Sequence, residues 1–256
     1  MGASASATER AFRPAVLIPV YNHEHAIGAT LESVLTHGHD VLLVDDGSDD
    51  ACARVLVELR DRHDGRVELM RLPRNGGKGA AVKAGLRALA EAGYSHGVQV
   101  DADGQHDIAD LPGMLEVARA SPGSLVSAYP EFDDQVPRLR YYGRYLTHVW
   151  IWINTLSFQI RDAMCGFRVY PLEPTVNLLE SEPCGNRMDF DPEVLVRWHW
   201  RGGRVVNRPT RVHYPLDGVS HFDLLNDNWL ITRMHTRLFF GMLLRLPAIL
   251  GRRVRG

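Results

Sequence analysis

Cysteine is scarce in this chain of 256 residues. The three present, Cys52, Cys165 and Cys184, are an odd number without a CxxC pair. That argues against a disulfide framework or a cysteine-ligated zinc site, and for a reducing compartment. Lysine is scarcer still: Lys78 and Lys83 stand against 27 arginines. No stretch of 18 apolar residues occurs, so no segment is expected to span a membrane unaided. The opening MGASASATERAFRP lacks the apolar core of a signal peptide and reads as a disordered tail over residues 1–13. Charge of one dominant sign is missing too. With 29 basic and 31 acidic residues the net charge is -2, which excludes the strong positive field of a nucleic-acid binder.

What the chain does have is alternation. Hydrophobic residues make up 45%, enough for a sizeable core. Short apolar runs at 15–20, 41–44, 67–70 and 97–100 alternate with segments of helical periodicity, such as Ile27, Leu31, Val34 and Leu35. Such units predict an α/β domain with a mostly parallel sheet and right-handed crossovers. The rhythm loosens after about Tyr129, and no repeat or long linker divides the chain.

In an open parallel sheet, ligands bind beyond the carboxyl ends of the strands. Three of the apolar runs end there in polar clusters: Tyr21-Asn22, Asp45-Asp46 and Asp101-Ala102-Asp103. Ser48 and Asp49 suit turns and helix caps. Asp45 and Asp46 are less easily explained that way, because adjacent carboxylates repel and gain from a shared partner. In Asp101-x-Asp103, residues two apart project to one side, so two hard oxygen donors can share Mg²⁺ or Mn²⁺ with substrate phosphate. The loop Asn75-Gly76-Gly77-Lys78-Gly79 lacks the spacing and the Ser or Thr of a Walker A sequence. It reads either as backbone N–H groups and Lys78 beside an anion at a helix start, or as a flexible helix N-terminus with a solvated lysine.

The motifs PVYN (19–22), DDGS (45–48), NGGKG (75–79), DADGQH (101–106) and CGFRVY (165–170) occur in a fixed order. In that order they resemble the motifs of family 2 glycosyltransferases, in particular the polyprenyl-phosphate (dolichol-phosphate-mannose-synthase-like) branch. The resemblance runs from Pro14 to Phe222. It implies a GT-A fold, a single Rossmann-like domain over 14–222, with a GDP- or UDP-sugar donor, a divalent cation and inversion at the anomeric carbon. By motif position, Pro19, Tyr21 and Asn22 would line the nucleoside pocket, and Asp45 or Asp46 would bind base or ribose. Lys78, Asp101 and Ala102 would belong to the donor site. Asp101, Asp103 and Gln105 would hold metal and diphosphate. His23 departs from the acidic residue that relatives commonly carry there, with Glu24 one place later. Relatives often have an Arg and a Lys for the diphosphate where this chain has Asp217 to His221. Here His221, or Arg138 or Arg140 of the preceding loop, would take that place.

Met188 to Glu193 lies on the acceptor side of the family pattern. Asp189 is the candidate general base, needed if a hydroxyl attacks and unnecessary if an ionised phosphate does. Asp103, Asp189 and Asp191 are the candidate catalytic carboxylates, although Asp191 before Pro192 and Glu193 also fits a helix cap with Pro192 at the first helical position. Residues 223–256 combine many apolar residues with six arginines and no acid after Asp227. They read as an amphipathic helix in a membrane interface, or as a helix packed on the domain or on a partner chain. The expectation is a cytoplasmic enzyme, peripheral on the inner face of the cytoplasmic membrane, that moves a sugar to a lipid-linked acceptor such as polyprenyl phosphate. Alternatives are transfer to a hydroxyl of another lipid or glycan, a nucleotidyltransferase, and a non-catalytic nucleotide-sugar-binding module. A nucleotidyltransferase usually has a Gly-rich basic loop after the first strand, where this chain has Tyr21-Asn22-His23-Glu24.

Overall fold

The computed structural model describes residues 11–131, 138–212 and 224–255, with side chains over 11–131, 144–212 and 226–252. The tail over 1–10, the segment 217–221 with His221, and the side chains of Arg138 and Arg140 lie outside the described residues. The expected strands are β1 (Pro14–Val20), β2 (Val41–Asp45), β3 (Val67–Arg71) and β4 (His96–Gln99), all parallel. Beyond them lie β5 (Leu125–Glu131), β6 (Arg168–Pro171) and β7 (Val205–Arg211). Among the described residues the seven form one sheet in the order β3-β2-β1-β4-β6-β5-β7. β6 is antiparallel to both neighbours, and β7 runs parallel to β5 at the edge.

Alternation along β1 feeds two cores. Val16, Ile18 and Val20 pack with α1 (Ile27–Leu35), α2 (Asp50–Arg62) and α4 (Leu111–Ala120). Ala15 and Leu17 face α3 (Lys78–Glu91), α6 (Leu172–Ser181) and α7 (Phe190–Trp200), together with Ile151 of α5 (Arg138–Thr155). Proline is disfavoured in a central strand because it cannot donate to the ladder. Pro19 escapes that cost. The β1–β4 pairing ends at Leu17, whose carbonyl accepts from Val100 N–H, while Val20 accepts from Asp46 N–H on the β2 side. Pro19 therefore turns its missing donor to the β4 side, beyond the last paired residues Leu17 and Gln99.

The C-terminal helix α8 (Leu224–Arg255) has two apolar sides. Ile231, Met234, Leu238, Met242 and Ile249 are buried at helical spacing against α5 and α7. Arg237 Nη2 reaches Glu193 Oε2 of α7 at 2.6 Å, and Arg252 Nη2 reaches the Trp200 carbonyl at 2.5 Å. On the opposite side Trp229, Phe240, Leu243, Leu244 and Leu250 are exposed. The helix is thus packed on the domain and amphipathic toward solvent at once. Among the described residues, no helix is long and apolar enough to cross a membrane. Leu238→Ala should cost about 2–5 kcal/mol by leaving a cavity, whereas Leu244→Ala should stay within about 0.5 kcal/mol. Equal small losses in urea denaturation would show that α8 is no part of the core.

Candidate active site

The loops after β1 and β2 are stapled by Asn22. It adopts a left-handed backbone (φ 51), which asparagine tolerates better than most residues. Its N–H donates to Ser48 Oγ at 3.1 Å and its Oδ1 accepts from Asp49 N–H at 2.9 Å. Asp49 in turn caps α2 by accepting from Cys52 N–H at 2.9 Å. The paired acids do not share a partner. Asp45 Oδ1 accepts from Ser48 N–H at 2.8 Å and Oδ2 lies 3.4 Å from Arg71 Nε. Asp46 instead accepts from Gly76 and Gly77 N–H at 2.8 and 2.7 Å. Burial raises the Asp46 pKa despite those two bonds.

The glycine loop does lie beside anions, and they are the protein's own. Its backbone N–H groups hold Asp46. Lys78 Nζ lies 2.8 Å from Asp101 Oδ1 and 2.9 Å from Asp191 Oδ2. Burial opposes the ammonium, but the two carboxylates outweigh it and hold the Lys78 pKa above its ordinary value. A side chain at Gly79 would run into Phe190, so glycine lets the start of α3 touch the start of α7. One turn on, Lys83 Nζ donates to the Cys184 and Gly185 carbonyls at 2.9 and 3.1 Å. The first turns of α3 thereby hold the segment 184–190.

Asp101 follows the end of β4. Besides Lys78, it meets His106 Nε2 at 3.3 Å. Burial opposes the charged carboxylate, yet Lys78 and His106 keep its pKa far below the usual range. A Cβ at Gly166 would collide with this carboxylate, which is the physical use of the glycine in CGFRVY. Asp103 Oδ1 accepts from Gln105 N–H at 3.1 Å, and the Ala102 carbonyl accepts from Thr30 Oγ1 at 3.3 Å. Asp101, Asp103 and Gln105 line one cleft with His106 and Arg144. Among the described residues, no group of three His, Cys, Asp or Glu side chains could hold a metal by itself. Two carboxylates and an amide oxygen are nevertheless hard donors that fit Mg²⁺ or Mn²⁺ once substrate phosphate completes the sphere.

Behind the cleft, β6 follows the lining residues Met164, Cys165 and Gly166. Arg168 is fully buried and donates to the carbonyls of Asp191 and Ala163 at 2.7 and 2.8 Å. Tyr170 donates to Gln99 Oε1 at 3.0 Å, and burial pushes its pKa up to about 12. Asp191 is not the cap of α7. That place falls to Asp189, whose side chain makes no capping bond, and Pro192 is the third helical residue rather than the first. The Asp191 carboxylate turns inward to Lys78, with Arg168 Nη1 at 3.6 Å. Asp189 Oδ1 accepts from Arg187 N–H at 3.1 Å. Asp162 holds the loop before β6, accepting from Met164 and Cys165 N–H at 2.8 and 2.7 Å and from Arg144 at 2.5 and 2.8 Å. His106, Arg144, Asp162, Arg168 and Tyr170 had no assigned role in the sequence reading. For Arg168 and Tyr170 a signal existed, since polar residues two apart inside an apolar strand face one way.

A family model described as Glycosyl transferase family 2 matches residues 15–179. The chain belongs to that family. This glycosyltransferase is 26% identical over 212 residues to an undecaprenyl-phosphate mannosyltransferase of Micrococcus luteus, a match covering 77% of this chain and 82% of the relative. It is 26% identical over 211 residues to an uncharacterized protein of Methanocaldococcus jannaschii, covering 80% and 90%. A dolichyl-phosphate beta-glucosyltransferase of Mus musculus is 27% identical over 205 residues, covering 70% of this chain, which spans only 61% of that relative's length. Among solved structures, glucosyl-3-phosphoglycerate synthase from Mycobacterium tuberculosis, in complex with Mn²⁺, UDP and glucosyl-3-phosphoglycerate, has a TM-score of 0.63 at 15% identity, covering 91% of this chain and 80% of that one. TarS of S. aureus in complex with UDP has a TM-score of 0.57 at 16% identity, covering 95% and 72%. These likenesses establish the GT-A fold of this glycosyltransferase.

Asp162 supplies a stability test. Burial opposes its charge, but Arg144 and His148 hold its pKa below the ordinary carboxylate value. The stability it contributes is therefore present above the unfolded pKa of about 4 and lost as pH falls toward the depressed folded value. Asp162→Asn should cost about 3–5 kcal/mol at pH 7 by removing the buried charge that pairs with Arg144. The unfolding midpoints of variant and wild type should converge as pH drops below about 4; a gap independent of pH would refute this role.

Proposed function

We propose that this enzyme transfers a sugar from a GDP- or UDP-sugar to a polyprenyl phosphate, with inversion, using Mg²⁺ or Mn²⁺ at Asp101, Asp103 and Gln105. The observation that carries the reading is the cleft. Asp101, Asp103 and Gln105 line it together with Arg144, and next to Arg144 the chain exposes Tyr145 and Leu146. Carboxylates for a cation, a guanidinium for phosphate and an apolar surface for a hydrocarbon chain are what a donor diphosphate and a lipid phosphate together require. A divalent cation at these residues would supply Lewis-acid stabilisation of the departing diphosphate. Pro19, Tyr21, Asn22 and Asp45 stand at the neighbouring strand ends, where the nucleoside would lie. The relatives' names, which specify undecaprenyl and dolichyl phosphates, point to the same acceptor class.

A phosphate acceptor asks less of the acceptor-side carboxylates than a hydroxyl does. Asp191 is engaged by Lys78 and Arg168, which leaves Asp189 as the remaining candidate base. A phosphate is already ionised at neutral pH and needs none. The exposed side of α8, with Phe240, Leu243 and Leu244 flanked by Arg233, suits an anionic membrane surface, in keeping with a peripheral enzyme on the inner face of the cytoplasmic membrane.

The test is product analysis with a panel of nucleotide-sugars and either a polyprenyl phosphate or the corresponding alcohol. Glycolipid should form from the phosphate alone and only with a divalent cation. Asp103→Ala should yield none while unfolding like wild type. Asp189→Asn should keep most of its turnover; a loss of about 10²–10⁴-fold with product on the alcohol would establish a hydroxyl acceptor and a general base. Nucleotide-sugar binding without any product would favour a non-catalytic module. Separately, Leu244→Glu should lower association with anionic liposomes and leave stability unchanged; undiminished association would remove α8 from the membrane contact.

A further inference from the structure

Lys78 does more than the transfer chemistry asks of it. Its side chain is 19% exposed, and its ammonium contacts both oxygens of Asp101, at 2.8 and 2.9 Å, and Asp191 Oδ2 at 2.9 Å. A lysine ammonium has three protons to donate, and here three oxygens of the protein's own carboxylates surround it. The backbone beneath it is fixed, with Gly76 and Gly77 N–H bound to Asp46 and Gly79 packed on Phe190. The helix cannot carry Lys78 aside, so only the side chain can move. A divalent cation on Asp101 must therefore meet this positive charge at short range, where like charges repel strongly in a partly desolvated site.

The geometry points to Lys78 as a built-in competitor for the cation. It neutralises Asp101 while no donor is bound, so the cation enters at useful affinity only together with the donor's diphosphate, whose negative charge offsets both positive centres. Asp191 gives Lys78 a second anchor when Asp101 is taken. The arrangement makes cation and donor binding interdependent. This inference rests on the cation site proposed above and adds to it an order of loading.

Mn²⁺ binding to the full chain without nucleotide, followed by electron paramagnetic resonance, reads the effect directly. Lys78→Met should bind Mn²⁺ alone about tenfold more tightly than wild type, or better, and Lys78→Arg, which keeps the charge, should bind as weakly as wild type. Asp191→Asn leaves Lys78 to Asp101 alone and should weaken Mn²⁺ binding further. If Lys78→Met folds only with Mn²⁺ present, titration with a chelator reads the same affinity. Lys78→Met binding Mn²⁺ no more tightly than wild type would overturn the competitor. The cation site would still stand in that case if UDP or GDP brings Mn²⁺ onto the wild-type protein and Asp103→Ala abolishes it. No Mn²⁺ binding under any of these conditions would sink both.

Discussion

Lys78 Nζ sits between Asp101, 2.8 Å away beyond β4, and Asp191, 2.9 Å away on α7, and the rest of the site is arranged around that contact. In the proposed function, Asp101 belongs to the half that would face a donor and Asp191 to the half that would face an acceptor. Burying these charges costs desolvation energy that neighbouring groups must offset. Part of that comes from His106 on Asp101, Arg168 and Gln99 on Asp191, and Tyr170 on Gln99. The same logic fixes the backbone beneath Lys78, where Asp46 takes the N–H groups at the start of α3. These contacts hold the backbone of the site, and the Lys78 side chain is the part left to move.

The scaffold carries this rigidity outward. Glu193, two residues beyond Asp191, is fully buried and accepts from Arg197, from Gly185 N–H and from Arg237 of α8. The helix with the exposed apolar side is therefore bonded to the helix that supplies Asp191. Its inner side closes the second core through Leu238 and Met242. Surface and site share one packed unit, which is why α8 is read as part of the catalytic domain rather than as an appended anchor.

Much of the fold was legible because β1 and β2 are nearly continuous apolar runs, buried on both faces, with polar residues following on one edge. β6 was not legible. It has four residues, and its Arg168 finds its acceptors at Ala163 and Asp191 only in three dimensions. β7 was missed for the opposite reason: as an edge strand it carries exposed Arg208 and Pro209, polar enough to read as loop. The glycine loop showed its anion-binding character in sequence, but not that the anions are Asp46, Asp101 and Asp191. Asp191 had a cap's local surroundings, but α7 begins one residue before it and its side chain turns inward to Lys78. The residues proposed for the donor were visible as motifs at strand ends; the network behind them depends on contacts that no local pattern encodes.

The account's central claim is that the Asp101–Asp103 edge takes a divalent cation with a nucleoside diphosphate while Lys78 gives way. Anomalous scattering from crystals grown with Mn²⁺ and UDP or GDP tests it most directly. The account predicts a manganese peak within coordinating distance of the Asp101 and Asp103 carboxylates, diphosphate oxygens beside it, and Lys78 withdrawn from Asp101. Bound nucleotide with no peak at these carboxylates, or with Lys78 still bridging Asp101 and Asp191 as it does now, would contradict it.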